Sequence, residues 1–305
     1  MDGKMKKFAI IIIIPLIIIL TPLDATKLNS FYEIDGNILY VGGDGPNNYT
    51  SIQAAINDAE DGDIIFVYSG RYYEDIYIWK NISLIGENRN TTIIELGRGV
   101  LIYGENLAML KIKEFTIVDG ATVPDGAITL VGSRNITIED CYFFNNFWAC
   151  ILTYNTTNIK ISNCTFDTNL IGIEIDYSCN IAIYRCDFLR DVVGMYTYFS
   201  SFNRLLECNF NHDSDAGIYL KNSVFSFVYH CNFIHTKLPA YFTNSFFNIW
   251  NKNYWNRPRI LPKIIRGEIV TNNKNIPWFN LDWHPLRSPY TQTLLNPRLT
   301  KSANE

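Results

Sequence analysis

Asn158-Ile159-Lys160-Ile161-Ser162-Asn163-Cys164-Thr165-Phe166 has close copies on both sides. Upstream stands Asn135-Ile136-Thr137-Ile138-Glu139-Asp140-Cys141-Tyr142-Phe143, and downstream Asn180-Ile181-Ala182-Ile183-Tyr184-Arg185-Cys186-Asp187-Phe188. Weaker copies end at Phe210 and Phe233. The five cysteines 141, 164, 186, 208 and 231 follow one another at steps of 23, 22, 22 and 23 residues. A fixed period in the twenties marks stacked structural repeats.

Within each copy apolar residues alternate, as in Ile136 and Ile138 or Ile159 and Ile161. Period two is the signature of a strand with one face inward. Eight or nine residues after each cysteine a second strand begins, at Gly172-Ile173-Glu174-Ile175, Gly194-Met195-Tyr196-Thr197 and Gly217-Ile218-Tyr219-Leu220. Ala149-Cys150-Ile151-Leu152 fits the same slot. No helix-length segment intervenes, and the Leu-x-x-Leu-x-Leu spacing of leucine-rich repeats is absent. These coils read as rungs of a parallel β-helix, an all-β solenoid. The cysteine slot continues through Phe115 upstream and Asn253 downstream, so residues 115, 141, 164, 186, 208, 231 and 253 are expected to form one inward ladder.

The ends differ from the middle. Lys4, Lys6 and Lys7 precede an apolar run from Phe8 to Leu20, and Ala25 offers a small residue for cleavage. Residues 1–25 therefore read as a signal peptide, with an uncleaved anchor as the alternative. This places the mature chain outside the cell, secreted or at the cell surface. Thr50 to Ala59 has apolar positions at 52, 55, 56 and 59, the pattern of an amphipathic helix that can cap the open first rung. Prolines 258, 262, 277, 285, 289 and 297 stop regular rungs. The domain division is thus 1–25 signal peptide, 26–256 β-helix with its N-terminal cap, and 257–305 an irregular C-terminal cap and tail.

The net charge of −4 provides no basic surface for nucleic acid. The seven cysteines would suggest disulfides in an exported chain, but six of them fall in inward slots, where cysteine acts as a small apolar residue. Cys179 is the thiol expected to be exposed. Asn48, Asn81, Asn90, Asn135, Asn155 and Asn163 begin Asn-x-Ser/Thr sequons, open either to glycosylation or to structural use in turns.

Ser51 to Ile56, Gly62 to Val67, Gly70 to Glu74 and Ile82 to Gly86 resemble the opening of pectin-lyase-like right-handed β-helix proteins. The rungs resemble the parallel β-helix repeats of the NosD-like, carbohydrate-binding type. Asn251 to Arg259 with Trp278 to Pro285 resembles the tails of secreted archaeal members. The resemblance covers roughly residues 40–290 and implies a single-stranded right-handed parallel β-helix. It implies no catalytic set. The Arg-x-Pro-x-x-Arg of pectate-lyase-like enzymes is missing, and Arg257-Pro258-Arg259 with Arg266 has other spacing. The polygalacturonase-like and pectin-esterase-like motifs are missing too.

Strand alternation puts Glu174 and Asp176 outward. Neighbouring rungs put Ile151, Tyr196, Tyr219 and Phe242 beside Glu174, and Thr153, Tyr198, Lys221 and Asn244 beside Asp176. Aromatic rings flanked by carboxylates and a lysine suit a sugar chain, since rings stack on C–H faces and charges take hydroxyls. Outward tyrosines also stabilise sheets through cross-strand pairs. Glu174 and Asp176 lie about 7 Å apart by strand spacing, within the range of a glycosidic acid–base pair. Read as solvated carboxylates they would keep ordinary pKa values, and they could instead attract calcium. Asn146, Asn169, Asp191 and Asp213 form a second ladder, structural first, with Asp191 and Asp213 as a further cation candidate. His212 and His235 are expected to be rung neighbours. The resemblance raises copper there, but two imidazoles with few methionines are too few for it.

The leading expectation is a binding protein for polysaccharide or glycan, with cell-envelope association, using Glu174, Asp176, Tyr196, Tyr198, Tyr219 and Lys221. The alternatives are a polysaccharide lyase or glycoside hydrolase using Glu174 and Asp176, and a structural surface or adhesion module.

Overall fold

The computed structural model describes residues 36–95, 102–120, 125–272 and 274–291. The segment 1–25, expected to be a signal peptide, and the tail 292–305 lie outside the described residues. The chain winds into a right-handed parallel β-solenoid. Each rung contributes a strand to three faces. First-face strands include Ala149–Tyr154, Ile171–Asp176, Val193–Tyr198, Ala216–Lys221 and Leu238–Thr243. Second-face strands include Arg134–Glu139, Thr157–Ser162 and Cys179–Tyr184, and third-face strands include Tyr142–Phe144, Thr165–Asp167 and Asp187–Leu189. Like strands pair in parallel register from rung to rung, as Ile159 with Ile181 and Phe166 with Phe188.

The corners explain why the repeat is so regular. Each corner is one residue in the left-handed region followed by one residue turned inward. Asp140, Asn163, Arg185, Glu207, His230 and Lys252 have φ of 55°, 54°, 50°, 57°, 55° and 54°. They precede Cys141, Cys164, Cys186, Cys208, Cys231 and Asn253, all buried. The cysteines are free thiols. Each Sγ–H donates to the carbonyl two residues back, for example Cys164 to Ser162 and Cys186 to Tyr184, both at 3.3 Å. Burial pushes the thiols of Cys141, Cys186 and Cys231 upward in pKa and keeps them protonated donors.

The next corner carries Asn146, Asn169, Asp191 and Asp213. The third carries a ladder that the sequence reading missed: Ser133, Thr156, Ser178, Ser200, Ser223 and Ser245. From Thr156 to Ser223 each backbone N–H donates to the hydroxyl one rung on, as Thr156 to Ser178 at 3.0 Å and Ser223 to Ser245 at 2.9 Å. Corner backbone groups that no strand could satisfy are thereby paired. Inside the coil Phe143, Phe166, Phe188, Phe210, Phe233 and Trp255 stack in parallel, centroids 4.4–5.0 Å apart.

The N-terminal helix Ile52–Asp58 has Ser51 as N-cap, and Ile52, Ala55 and Ile56 are buried. Its first free amides are taken by Glu74, which accepts from Ile52 and Gln53 at 2.8 and 2.9 Å. The C-terminal cap is more regular than its prolines suggest. Lys263–Val270 and Asn275–Asp282 form an antiparallel hairpin. Its first strand extends the first face by pairing Tyr241 with Arg266, and its second pairs Trp250 with Asp282 on the second face. No helix among the described residues is long and apolar enough to cross a membrane.

Candidate functional site on the first face

The register along the first face sets the candidate site. Glu174 lies between Leu152 and Tyr196, and the row continues through Tyr219, Tyr241 and Arg266. Asp176 lies between Tyr154 and Tyr198, and its row continues through Lys221 and Thr243 to Glu268. Four expected neighbours are therefore corrected. Ile151 pairs with Ile173, Thr153 with Ile175, and Phe242 with Leu220, and all three are buried. Thr243, not Asn244, stands beside Lys221. The cause is local. Between Cys141 and Cys164, and between Cys208 and Cys231, the extra residue sits in the corner before the first-face strand, so that strand and the one after it are 22 apart rather than 23. A slip of one residue exchanges inside for outside.

That extra corner residue shapes the site. The corner after Asn146 holds Phe147 and Trp148 where the next rung has Leu170 alone. Trp148 Nε1 donates to Glu174 Oε2 at 3.1 Å. Glu174 and Asp176 are both half-buried, and Asp176 Oδ1 is enclosed with no hydrogen-bond partner. They are not solvated carboxylates of ordinary acidity. Burial, then the charge of Asp176, raises Glu174 to about 7, against the pull of the Trp148 hydrogen bond. Burial raises Asp176 to about 6.

Around the carboxylates the rings interlock. Tyr196 meets Tyr219 edge to face at 5.5 Å, and Tyr219 meets Tyr241 at 5.6 Å. Lys221 Nζ lies 5.4 Å from the centre of the Tyr198 ring. Tyr219 Oη and Thr243 Oγ1 are 3.1 Å apart. The tyrosines in the row are half-buried rather than fully exposed. At the adjoining corner Tyr177 stacks on Phe199 at 5.5 Å and meets Tyr154 and Tyr198 edge to face. Tyr154, Tyr177 and Phe199 are exposed and widen the aromatic surface beyond the residues expected from sequence. Tyr177 and Phe199 adopt φ of 49° and 46°, costly for bulky side chains and sustained here by ring stacking.

The other candidates separate. His212 and His235 are rung neighbours, ring centroids 4.7 Å apart, but both are exposed. Asp191 and Asp213 turn inward from the same corner and are buried. The two pairs therefore do not combine. No group of three or more His, Cys, Asp or Glu residues gathers as a metal site among the described residues. Of the sequon asparagines, Asn81 is fully engaged. Its side chain donates to Asp61 at 2.8 Å and accepts from Ala108 and Met109 at 2.8 and 2.9 Å. Asn90 and Asn155 are exposed.

The sequence profile described as "Right handed beta helix region" matches residues 61–191 and 98–256. The chain belongs to the right-handed β-helix family. Among curated proteins no sequence matches it. Among solved structures it is similar to PfbA, a surface adhesin of Streptococcus pneumoniae, with TM-score 0.52 and 14 % identity over 68 % of this chain and 67 % of that one. A rhamnogalacturonan lyase gives TM-score 0.52 and 13 % identity over 84 % of each chain. The ORF18 protein of Geobacillus virus E2 gives TM-score 0.52 and 15 % identity, over 80 % of this chain and 63 % of that one. These likenesses show the fold, which carries binding and catalytic proteins alike.

Proposed function

We propose that this chain is an exported or cell-surface β-helix protein that binds a polysaccharide or glycan along its first face, in association with the cell envelope. One observation carries the reading. Tyr196, Tyr219 and Tyr241 form a continuous outward row that begins at a half-buried carboxyl, Glu174, and runs beside Asp176, Tyr198 and Lys221. Rings in such a row supply faces and edges for sugar C–H groups. Glu174 and Asp176 supply donors and acceptors whose capacity the protein leaves partly unused. A glycan-array screen of the protein without residues 1–25, followed by titration of Tyr196→Ala and Tyr219→Ala, tests it. The expected result is binding weakened at least tenfold by either substitution, as when an interface anchor is lost. Wild-type binding by both folded variants would show the row to be ordinary sheet surface, and the chain a structural or adhesion module.

The raised Glu174 favours a second reading. A carboxyl titrating near 7 is suited to general acid catalysis, with Asp176 as its partner in a glycoside hydrolase or polysaccharide lyase. Glu174→Gln distinguishes the two. An enzyme would lose roughly 10²–10⁴-fold in turnover. A binding protein would have no turnover to lose.

Kinship with the NosD-like subgroup and with secreted archaeal members belongs to the same proposal, as does removal of residues 1–25. Mass spectrometry of the native N-terminus checks the last. An intact Met1 on membrane-embedded protein would replace export by anchoring.

A further inference from the structure

Beyond the end of the tyrosine row the solenoid meets its C-terminal hairpin at a cavity of about 350 Å³. Its lining includes Leu238, Pro239, Trp255, Arg259, Lys263 and Arg266. Three of these are cations, and Arg257 lies two residues before the first. Among the described residues none of the four makes an ion pair. Glu268, two residues along the strand from Arg266, is not paired with it. Asp282 stands opposite Lys263 in the hairpin register. However, its Oδ2 is spent on Asn253 N–H at 3.0 Å, Asn253 Nδ2 at 3.2 Å and Trp255 Nε1 at 3.0 Å.

Two of the cations, Arg259 and Lys263, are also partly shielded from water. Arg259 Nε is enclosed with no hydrogen-bond partner. Lys263 Nζ lies 5.6 Å from the centre of the Trp255 ring rather than on a carboxylate. Burial, then the charges of Arg259, Arg266 and Arg257, press its ammonium below the usual lysine range. Removing charges from water without a counter-charge is unfavourable, and like charges add to the cost. An arrangement of this kind is completed by an anion from outside, and guanidinium forks match planar and tetrahedral oxyanions.

We propose that this cavity is a binding site for an oxyanion (carboxylate, phosphate or sulfate) on a compact ligand, held by Arg259, Lys263 and Arg266, with Leu238 and Pro239 against the ligand's body. Arg266 pairs in register with Tyr241, so the site adjoins the end of the first-face row. Where the glycan reading also holds, the glycan is therefore an acidic one whose charged group sits here. That extension rests on the glycan reading, and the anion site does not.

The test is calorimetric titration of the protein, in low-salt buffer, with inorganic phosphate, inorganic sulfate and a glucuronate-containing disaccharide, plus the neutral glucose disaccharide as a control. Binding of at least one of the three anions is expected, falling with added sodium chloride, with the neutral sugar silent. The preferred anion identifies the source. Arg259→Gln and Lys263→Gln should each weaken binding about 10–100-fold, the worth of a hydrogen bond to a charged group. Neither should lower the melting temperature of the free protein, because each removes an unpaired half-buried cation. Arg266→Glu, at an exposed position, repeats the test without touching buried packing and should abolish binding. Tyr196→Ala should leave phosphate binding unchanged, so failure of the row and failure of the pocket are read separately. No binding of any of the three anions, or variants that bind as wild type does, overturns the proposal.

Discussion

Asp191→Asn should make this protein more stable, and increasingly so as pH rises. Along the second corner ladder each asparagine gives two hydrogens to the oxygen one rung on. Asn146 N–H and Nδ2 reach Asn169 Oδ1, both at 3.0 Å, and Asn169 N–H and Nδ2 reach Asp191 Oδ1, both at 2.8 Å. Asp191 has no side-chain amide to pass on. Its Oδ2 is buried without a partner, and the buried Asp213 carboxyl has only the Asp191 backbone N–H, poorly aligned, beside it. Burial first, and for Asp213 then the Asp191 charge, raises the two from 3.8 to about 8 and about 9. The folded state thus keeps protons that the unfolded chain releases above pH 4. For acids shifted upward, stability is greatest at low pH and falls as pH rises from about 4 toward 8 or 9. At pH 7.5 the ceiling for Asp191 is about 5 kcal/mol, from 1.36 kcal/mol per unit over roughly 3.7 units. The pair titrates as a unit and interiors relax, so about 2–4 kcal/mol is the expected gain. The variant keeps an oxygen for Asn169 and supplies Nδ2–H to Asp213. Urea unfolding followed by circular dichroism at pH 4.5, 6, 7.5 and 9 measures it. The gain should shrink to within about 1 kcal/mol at pH 4.5, which lies only about 0.7 units above the unfolded carboxyl's value. Wild-type stability that is flat or rises from pH 5 to 9, or a variant weaker at every pH, would refute the reasoning.

Three further outcomes are expected. Phe188→Ala removes a buried ring stacked on Phe166 at 4.8 Å and Phe210 at 4.6 Å, and should cost about 3–5 kcal/mol in the same unfolding assay. A loss under 1 kcal/mol would mean that the stack is not a unit of the core. Gly194→Ala should destabilise markedly or block folding, since a Cβ there would lie 2.7 Å from the Gly217 carbonyl oxygen and from the Phe210 ring. Native-state alkylation read by peptide mass spectrometry should label Cys179, with the six buried thiols reacting only after denaturation. Rapid labelling of Cys186 in the folded protein would contradict the inward column.

The rung and the cysteine column were legible because they depend on alternation and a period, both printed in the sequence. The first-face register was not, because a period of 23 does not say which corner takes the extra residue. The same extra residue brings Trp148 onto Glu174, so the burial that raises this carboxyl depends on a cross-rung contact no local pattern encodes. The serine ladder could have been found, since Ser178, Ser200, Ser223 and Ser245 recur at steps of 22, 23 and 22. The stronger cysteine phrase masked it. The C-terminal hairpin was hidden by Pro277, which sits on its outer strand, where a missing N–H is tolerated. The aromatic corner of Tyr177 and Phe199 places bulky rings at left-handed positions that propensity assigns to asparagine or glycine.

The glycan reading is tested most directly by a crystal structure of the protein with an oligosaccharide that it binds in solution. The expected density is a sugar chain lying over Tyr196, Tyr219 and Tyr241, with hydroxyls within hydrogen-bonding distance of Glu174 and Asp176. A sugar bound on another face, with the tyrosine row bare, would contradict it.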